Sequence, residues 1–366
     1  MSDPGDSSLR TPVDAAVAQA RRVIGLYGDP DVSWSIVLAV DLVGAVDPAD
    51  ASAAAGRLVA VHTHLGRAPT VTLFAAGGET SVVDAFANEP YGDHDPLLRA
   101  ALSADGRTLV VAAHHGAVDG LGLLGAAAAL AGVPLTSSAT GIEPGAQPAG
   151  FLRASLGRLV EALVHPPVRL RSDPTGDSGG GDWLLTKVVH PVRPSSGALV
   201  MAAVATVRAR NVGTPARGRR LLVAMGLSRR PGSPTPSPDR DTAYVRLAVD
   251  AVTTAADAAE VLATTVPEPA FPATDGGGIA PKVTRLLSAR LGSTVLVSNL
   301  GKVAPDAVTA VRFWPVPSGP AGAAIGLASA GGRTTITVRL RRAWFTTGDA
   351  DEIATQVAEA LESASA

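Results

Sequence analysis

Two adjacent histidines, His114 and His115, are followed by Asp119 and Gly120 in the pattern H-H-x-x-x-D-G. A neutral imidazole can accept a proton from a hydroxyl or an amine near pH 7, and general-base catalysis of this kind contributes about 10² to 10⁴ in rate. The same residues also suit a structural role, in which one histidine packs in the core and Asp119 caps a helix. The pattern therefore indicates a candidate base, with the structural role as its alternative.

The flanking residues predict a strand that leads into this pattern and a helix that follows it. Residues 107–113, RTLVVAA, are typical of a buried strand. Asp119 suits the N-cap of a helix from about Gly120 to Leu130, and Gly132 is the residue type that ends helices. The histidines are thus expected between a strand and a helix, where a rigid scaffold positions functional loops.

A second pattern overlaps the first, because Gly120, Gly122 and Gly125 match G-x-G-x-x-G. In dinucleotide-binding folds the first glycine directly follows a strand, and an acidic residue about 20 positions later ends the next strand. Here HHGAVD intervenes, and Glu143 lies in a predicted loop. We therefore interpret these glycines as allowing close packing of the helix, and keep a dinucleotide-dependent oxidoreductase as an alternative.

His62 and His64 could form a metal site with His114 and His115 if their segment were extended. Asp47 and Pro48 instead predict a helix that continues to Gly66, and residues two apart on a helix point in different directions. No H-E-x-x-H occurs. The sequence therefore predicts no catalytic metal.

Composition limits the possible functions. The 366 residues suit two domains, and the net charge of −2 does not favour nucleic-acid binding. The absence of cysteine excludes disulfides, thiolate nucleophiles and cysteine-ligated zinc. The N-terminal residues show no signal pattern, and no apolar run reaches the roughly 20 residues of a membrane span. We expect a cytoplasmic protein without a membrane span.

Strand and helix patterns alternate along the rest of the chain. The notable strand predictions are residues 34–42, 80–86, 183–190, 220–227, 243–250, 293–301, 310–316, 322–330 and 333–345. The polar, glycine-rich residues 171–182 are typical of a linker. The sequence therefore predicts an α/β (α+β) fold with mixed sheets, an N-terminal lobe at 1–170 and a C-terminal lobe at 183–366.

The His114–Gly120 pattern resembles the signature of an acyltransferase superfamily. That superfamily includes nonribosomal peptide condensation domains, chloramphenicol acetyltransferase, wax ester synthases and polyketide-associated acyltransferases. Residues 38–66, 220–232 and 295–303 also resemble its segments, in the same order. The resemblance implies two chloramphenicol-acetyltransferase-like lobes, each a mixed β-sheet with flanking helices, which form a V-shaped pseudodimer. A tunnel between them would receive the acyl thioester from one face and the acceptor from the other.

The resemblance also implies roles for the residues of the pattern. His115 corresponds to the general base, and His114 to a structural histidine. Asp119 corresponds to an aspartate that pairs with an arginine of the second lobe, which we match to Arg229, with Arg230 as the alternative. Gly120 would let the backbone approach the thioester.

The S-N-x-G strand supplies the remaining expected positions. Ser298 resembles the hydroxyl that stabilises the oxyanion, and Asn299 and Gly301 are expected to line the tunnel.

The function implied is transfer of an acyl group to a hydroxyl or amine of a small molecule, in natural-product or lipid tailoring. The co-substrate would be an acyl-CoA or the phosphopantetheinyl thioester of an acyl carrier protein, with no permanently bound cofactor. A monomer is expected, because the two lobes already form a pseudodimer. The alternative on the same fold is a non-catalytic binding or carrier-docking protein.

Overall fold

Two mixed β-sheets form the framework of the protein in its computed structural model. The structure describes residues 12–24, 32–139, 151–170, 180–189, 195–212, 220–230, 236–249, 254–268, 292–305, 307–317 and 321–365. Helices in these ranges are α1 Pro12–Ile24, α2 Pro48–Val61, α3 Glu79–Asn88, α4 Gly120–Ala131, α5 Phe151–Val164, α6 Ser196–Arg210, α7 Ala255–Thr264 and α8 Thr347–Ser365. Strands are β1 Ser35–Leu42, β2 Val71–Phe74, β3 Leu98–Ser103, β4 Thr108–His114, β5 Thr136–Ser137, β6 Asp182–Val189, β7 Leu222–Ser228, β8 Thr242–Ala248, β9 Val295–Ala304, β10 Val308–Trp314, β11 Ala323–Ala330 and β12 Arg333–Arg341.

Each sheet combines parallel and antiparallel neighbours, as the sequence predicts. The first sheet has the order β10-β1-β4-β3-β2, in which only β2 and β3 run parallel to each other. The second sheet has the order β6-β12-β11-β9-β7-β8, and β11, β9 and β7 are parallel. The short strand β5 pairs with the end of β9.

The central strands of the first sheet are buried on both faces, with alternate residues in different cores. Ile36 and Leu38 of β1 belong to the core that contains Leu123 of α4. Val37, between them, packs in the core that contains Val83 of α3. Because side chains alternate along a strand, one continuous apolar run supplies both layers.

Strand β10 connects the two halves of the chain. It lies late in the sequence, yet it pairs antiparallel with β1 in the first sheet, where Trp314 is opposite Val37. On its other side, the hydroxyls of Thr335 and Thr337 on β12 donate to the Val311 and Phe313 carbonyls. The division into lobes at 1–170 and 183–366 stays a prediction, and most of the predicted linker lies outside the described residues.

Arg339 on β12 makes a second connection and is almost fully buried, with 1 % of its side chain exposed. Its Nε lies 2.7 Å from Asp182 Oδ2 at the start of β6. Its guanidinium also donates to the Ser35 carbonyl at 2.5 Å and to the Ala87 carbonyl at 2.9 Å. A charge that is buried in this way must be paired and hydrogen-bonded, and its partners here come from both sheets and from α3.

The predicted strand at 80–86 was wrong, because these residues lie in α3. Val83 and Ala87 are four residues apart, and both are buried against the first sheet. A helical period therefore explains this segment better than its β-branched composition does. The neighbouring strand β3 was not predicted.

The helix predicted to continue to Gly66 ends at Val61 instead. His62 is its C-cap, and residues 63–65 form a 3₁₀ turn. In the part of the chain that the structure describes, every helix is too short or too polar to span a lipid bilayer.

Candidate active site

The loop that carries the two histidines is held by backbone contacts on both sides. The His115 N–H donates to the Trp34 carbonyl at 2.7 Å, and the His114 carbonyl accepts from Ala117 N at 2.9 Å. A Cβ on Gly116 would lie 2.0 Å from the carbonyl oxygen of Ala20 in α1. Only glycine fits at this position, so α1 and the end of β4 together fix the turn.

The ring of His115 has a hydrogen-bond partner at each nitrogen. Nδ1 lies 3.2 Å from the Val118 carbonyl oxygen, and Nε2 lies 2.8 Å from the hydroxyl of Tyr244 on β8. A carbonyl oxygen can only accept, so we assign the proton of the neutral ring to Nδ1. Nε2 then carries the lone pair and accepts from the Tyr244 hydroxyl, so the atom that could act as a base faces the second sheet.

The surroundings keep His115 neutral. Burial and the nearby Arg240 guanidinium lower its pKa from 6.5 to about 4. Burial raises the pKa of the Tyr244 phenol, so that residue remains a donor at neutral pH. The imidazole is therefore in the form that can accept a proton.

His114 lies in the core, with 3 % of its surface exposed. The Gly116 N–H donates to its Nδ1 at 3.2 Å, and its ring meets the Tyr91 ring edge-on at 5.3 Å between centroids. Burial and the adjacent His115 lower its pKa to about 3. These contacts are those of a neutral packing residue.

Asp119 is also buried, and its carboxylate joins elements that are distant in sequence. As the sequence predicts, it caps α4, because Oδ1 accepts from Gly122 N at 2.7 Å. Oδ2 accepts from Asp241 N and from the Thr242 hydroxyl, each at 2.7 Å. Arg230 Nη1 lies 2.8 Å from Oδ1 and 2.9 Å from Oδ2.

The arginine that pairs with Asp119 is Arg230, so the match to Arg229 was wrong. The Arg229 N–H donates to the Asp241 carbonyl at 2.9 Å and so extends the β7–β8 ladder by one residue. Arg230 lines the cavity beside Asp119, whereas Arg229 is not among the residues that line it.

The glycines at the start of α4 allow two backbones to approach each other closely, as predicted. A Cβ on Gly122 would lie 2.1 Å from the Asp239 carbonyl oxygen, and one on Gly125 would lie 2.0 Å from that of Pro236. Residues 236–239 thus cover the positions where a dinucleotide phosphate would bind. A Cβ on Gly120 would lie 2.9 Å from the Phe313 ring on β10.

A cavity of about 780 Å³ lies between the sheets and is lined by both of them. His115 and Gly120 border it from the first half of the chain, and Tyr244 borders it from β8. The wall also includes Ser228, Arg230, Leu296, Ser298, Asn299, Gly301, Phe313, Ser329 and Thr334. The structure thus brings the expected residues Ser298, Asn299 and Gly301 to the same cavity as His115.

Asn299 and Gly301 shape the end of β9. Asn299 Oδ1 accepts from Gly301 N at 2.8 Å, and Gly301 has a φ of +69°. A Cβ at Gly301 would lie 2.6 Å from Ala139 N. This left-handed position therefore requires glycine, and it lets the chain after α4 pack against β9.

Tyr244 was not identified from the sequence. It lies in a strand of alternating burial, between buried Ala243 and Val245, and its residue type is common in strands. No local motif surrounds it. Only the packing of β8 against the His115 loop makes it a functional candidate.

No protein-family model and no curated protein sequence matches this chain. Its fold is nevertheless shared with solved condensation domains. The first condensation domain of the calcium-dependent antibiotic synthetase, in complex with a substrate analogue, has a TM-score of 0.61 and 17 % identity. That match covers 97 % of this chain and 96 % of the other.

Two further structures show the same architecture. A mutant starter condensation domain of rhizomide synthetase, in complex with C8-CoA and Leu-SNAC, has a TM-score of 0.59 at 13 % identity and covers 96 % of this chain and 93 % of its own. The EpoB cyclization-docking bidomain from Sorangium cellulosum has a TM-score of 0.58 at 14 % identity and covers 99 % and 88 %. These matches establish the two-lobe condensation-domain fold.

Replacing Asp119 by alanine should impair folding as well as any activity. The change removes the cap of α4 and leaves the Arg230 charge without its partner, which costs about 3–5 kcal/mol for a buried pair. Urea unfolding followed by circular dichroism measures the loss. Asp351→Ala is the matched control, because that carboxylate is 64 % exposed in its pair with Lys187 and should contribute at most about 1 kcal/mol. A stably folded Asp119→Ala protein that is merely inactive would contradict this role.

The low pKa of His115 predicts a pH-dependent stability. Its pKa is about 4 in the folded chain against 6.5 when unperturbed, so the unfolded chain binds the proton first as the pH falls. Stability should therefore decrease from about pH 6.5 down to about pH 4, by at most about 1.4 kcal/mol per pH unit for this group. As the pH is lowered through this range, the urea midpoint of His115→Gln should decrease less steeply than that of the wild type. Parallel curves throughout would contradict the assignment.

Proposed function

We propose that this protein is an acyltransferase that moves an acyl group from a thioester to a hydroxyl or amine of a small molecule. The observation that carries this proposal is the His115 Nε2 lone pair at the wall of a cavity between the two sheets. The condensation-domain fold supports the same class of reaction.

In this mechanism His115 acts as the general base. Nε2 removes the proton of the acceptor as the acceptor oxygen or nitrogen attacks the thioester carbonyl. The tetrahedral intermediate collapses, the carbon–sulfur bond breaks, and the leaving thiolate takes the proton from Nε2, which returns His115 to its neutral form. Val118 keeps the ring in the required tautomer, because its carbonyl accepts a hydrogen bond from the protonated Nδ1. The chain has no cysteine, so no thiolate of its own is available for a covalent acyl-enzyme.

Two further residues have roles in the proposal. Ser298 is the candidate donor to the oxyanion, because it borders the same cavity on β9. One such donor contributes about 10² to 10³ in rate. Asp119 acts indirectly, because its hydrogen bonds to Arg230, Asp241 and Gly122 position the loop that carries His115.

The donor in the proposal is an acyl-CoA or an acyl carrier protein. The rhizomide synthetase domain was solved with C8-CoA, and this supports a thioester donor. Tailoring of a natural product or lipid remains the expected setting, and the cytoplasmic location and monomeric state remain predictions.

Tyr244 occupies the position that the acceptor must reach. Its hydroxyl donates to the lone pair of His115 Nε2, and the proposed mechanism needs the same lone pair to take the proton of the acceptor. We therefore assign Tyr244 as a positioning residue that holds the imidazole in the free enzyme and is displaced when the acceptor binds.

Release of free thiol tests the proposed function directly. A thiol reagent gives no background on this protein, because the chain contains no cysteine. Acyl-CoAs of increasing chain length, with alcohols and amines as acceptors, should release coenzyme A with the wild type, and His115→Ala should lose about 10² to 10⁴ in rate. His165→Ala is the matched control, because His165 is exposed and lies outside the cavity.

The outcome also separates the alternatives. Release that is independent of His115 would contradict the mechanism. If free acyl-CoAs give no release, the same assay is repeated with acyl groups on a phosphopantetheinylated carrier. Carrier thioesters that bind without His115-dependent turnover would favour the non-catalytic carrier-docking protein.

Tyr244→Phe should change acceptor binding more than the chemical step. The substitution removes one hydrogen bond of the free enzyme, worth about 0.5–1.5 kcal/mol, which the acceptor otherwise has to displace. The acceptor KM should therefore fall about 2- to 10-fold, with kcat within tenfold of the wild type. Steady-state kinetics with varied acceptor measure both. A kcat that falls 100-fold at unchanged KM would instead show that the Tyr244 hydroxyl acts in the chemical step.

A further inference from the structure

A cluster of metal-ligand side chains lies away from the cavity, where the end of α2 meets residues 236–239. His62, His64 and Asp239 each offer one ligand atom, and these atoms all lie within 4.8 Å of one another. None of the three borders the cavity. The cluster depends on the observed end of α2, because His62 is its C-cap and His64 lies in the following 3₁₀ turn.

The two distances from Asp239 to the histidines are near those expected for ligands of one shared ion. Asp239 Oδ1 lies 3.4 Å from His64 Nε2 and 3.8 Å from His62 Nδ1. The 3.8 Å separation is too long for a hydrogen bond. Zinc–nitrogen and zinc–oxygen bonds of about 2.0–2.2 Å in a tetrahedron place neighbouring ligand atoms about 3.3–3.6 Å apart. The two observed distances are close to that range.

The carboxylate of Asp239 is oriented for this role. Its Oδ2 accepts from the Ser237 hydroxyl at 2.5 Å, which leaves Oδ1 directed at the two rings. Outer hydrogen bonds of this kind orient metal ligands. The side chains of His62, His64 and Asp239 are 24 %, 39 % and 47 % exposed, so an ion can reach them from solvent.

We propose that His62, His64 and Asp239 form a binding site for one divalent transition-metal ion, with Zn²⁺ as the best match to two imidazoles and a carboxylate. Water completes the coordination. Binding the ion requires His64 Nε2 to give up its 3.0 Å hydrogen bond to the Pro238 carbonyl.

The site has a structural role that follows from its position. The Asp239 carbonyl accepts from the Asp119 N–H at 3.3 Å and from Arg230 Nη2 at 2.5 Å. An ion at Asp239 would therefore link α2 to the segment that also contacts the His115 loop. Metal binding should stabilise the junction between the two halves of the chain.

Isothermal titration of untagged protein with ZnCl₂ tests the proposal. The wild type should bind one Zn²⁺ per chain, and zinc should raise its melting temperature. His62→Gln and His64→Gln should each weaken zinc binding by at least about 10- to 100-fold. That is the loss typical when a residue that only hydrogen-bonds to a metal ligand is removed, and a ligand itself should matter at least as much. His165→Gln, at an exposed histidine outside the cluster, should bind zinc like the wild type.

Two results would overturn the site. One is the absence of saturable zinc binding by the wild type, and the other is equal affinity in the wild type and both histidine variants. If one variant does not fold by circular dichroism, the other and Asp239→Asn provide the comparison. The titration does not depend on acyl transfer, so its result is independent of the proposed function.

Discussion

The buried carboxylate of Asp119 is the constraint on which the candidate active site depends. A carboxylate out of water is several kcal/mol less stable unless hydrogen bonds and an opposite charge replace its hydration. Here those partners come from α4, from the end of β7 and from the start of β8. The loop between His114 and Asp119 is therefore held at one end by β4 and at the other by the second half of the chain. His115 is positioned by the packing of the two halves.

That arrangement requires the backbones to approach more closely than ordinary side chains permit. Gly122 and Gly125 leave no Cβ where α4 meets residues 236–239, and the Asp239 carbonyl then comes within reach of Arg230. The same chemistry explains why this stretch resembles a dinucleotide motif. Both situations need glycines at a helix start so that another group can approach the backbone, and here that group is a protein segment.

Local signals predicted the local features of the site. The strand before His114, the Asp119 cap and the Gly132 end of α4 follow from residue type and spacing, and the H-H-x-x-x-D-G resemblance implied the two-lobe fold. Contacts between distant segments were harder to predict. The choice between Arg229 and Arg230 depends on the path of the chain after β7, beyond the last β7–β8 pair of Ser228 and Thr242. Tyr244 is 129 residues from His115 and carries no pattern of its own.

The connections between the halves explain how the cavity can be formed before any substrate binds. Strand β10 pairs with β1 and is also hydrogen-bonded by β12, while Arg339 links β12 to Ser35 and Asp182. Separating the halves would break a strand ladder and leave charged groups unpaired, so the walls on both sides of His115 are held in place. Only a few features meet these requirements: a buried aspartate and arginine, the glycines where two backbones meet, and strand β10, which pairs with β1 of the first half. Most other core positions need only apolar residues of suitable volume, which cores exchange freely. The same architecture can therefore be kept although this chain is only 13–17 % identical in sequence to the solved condensation domains.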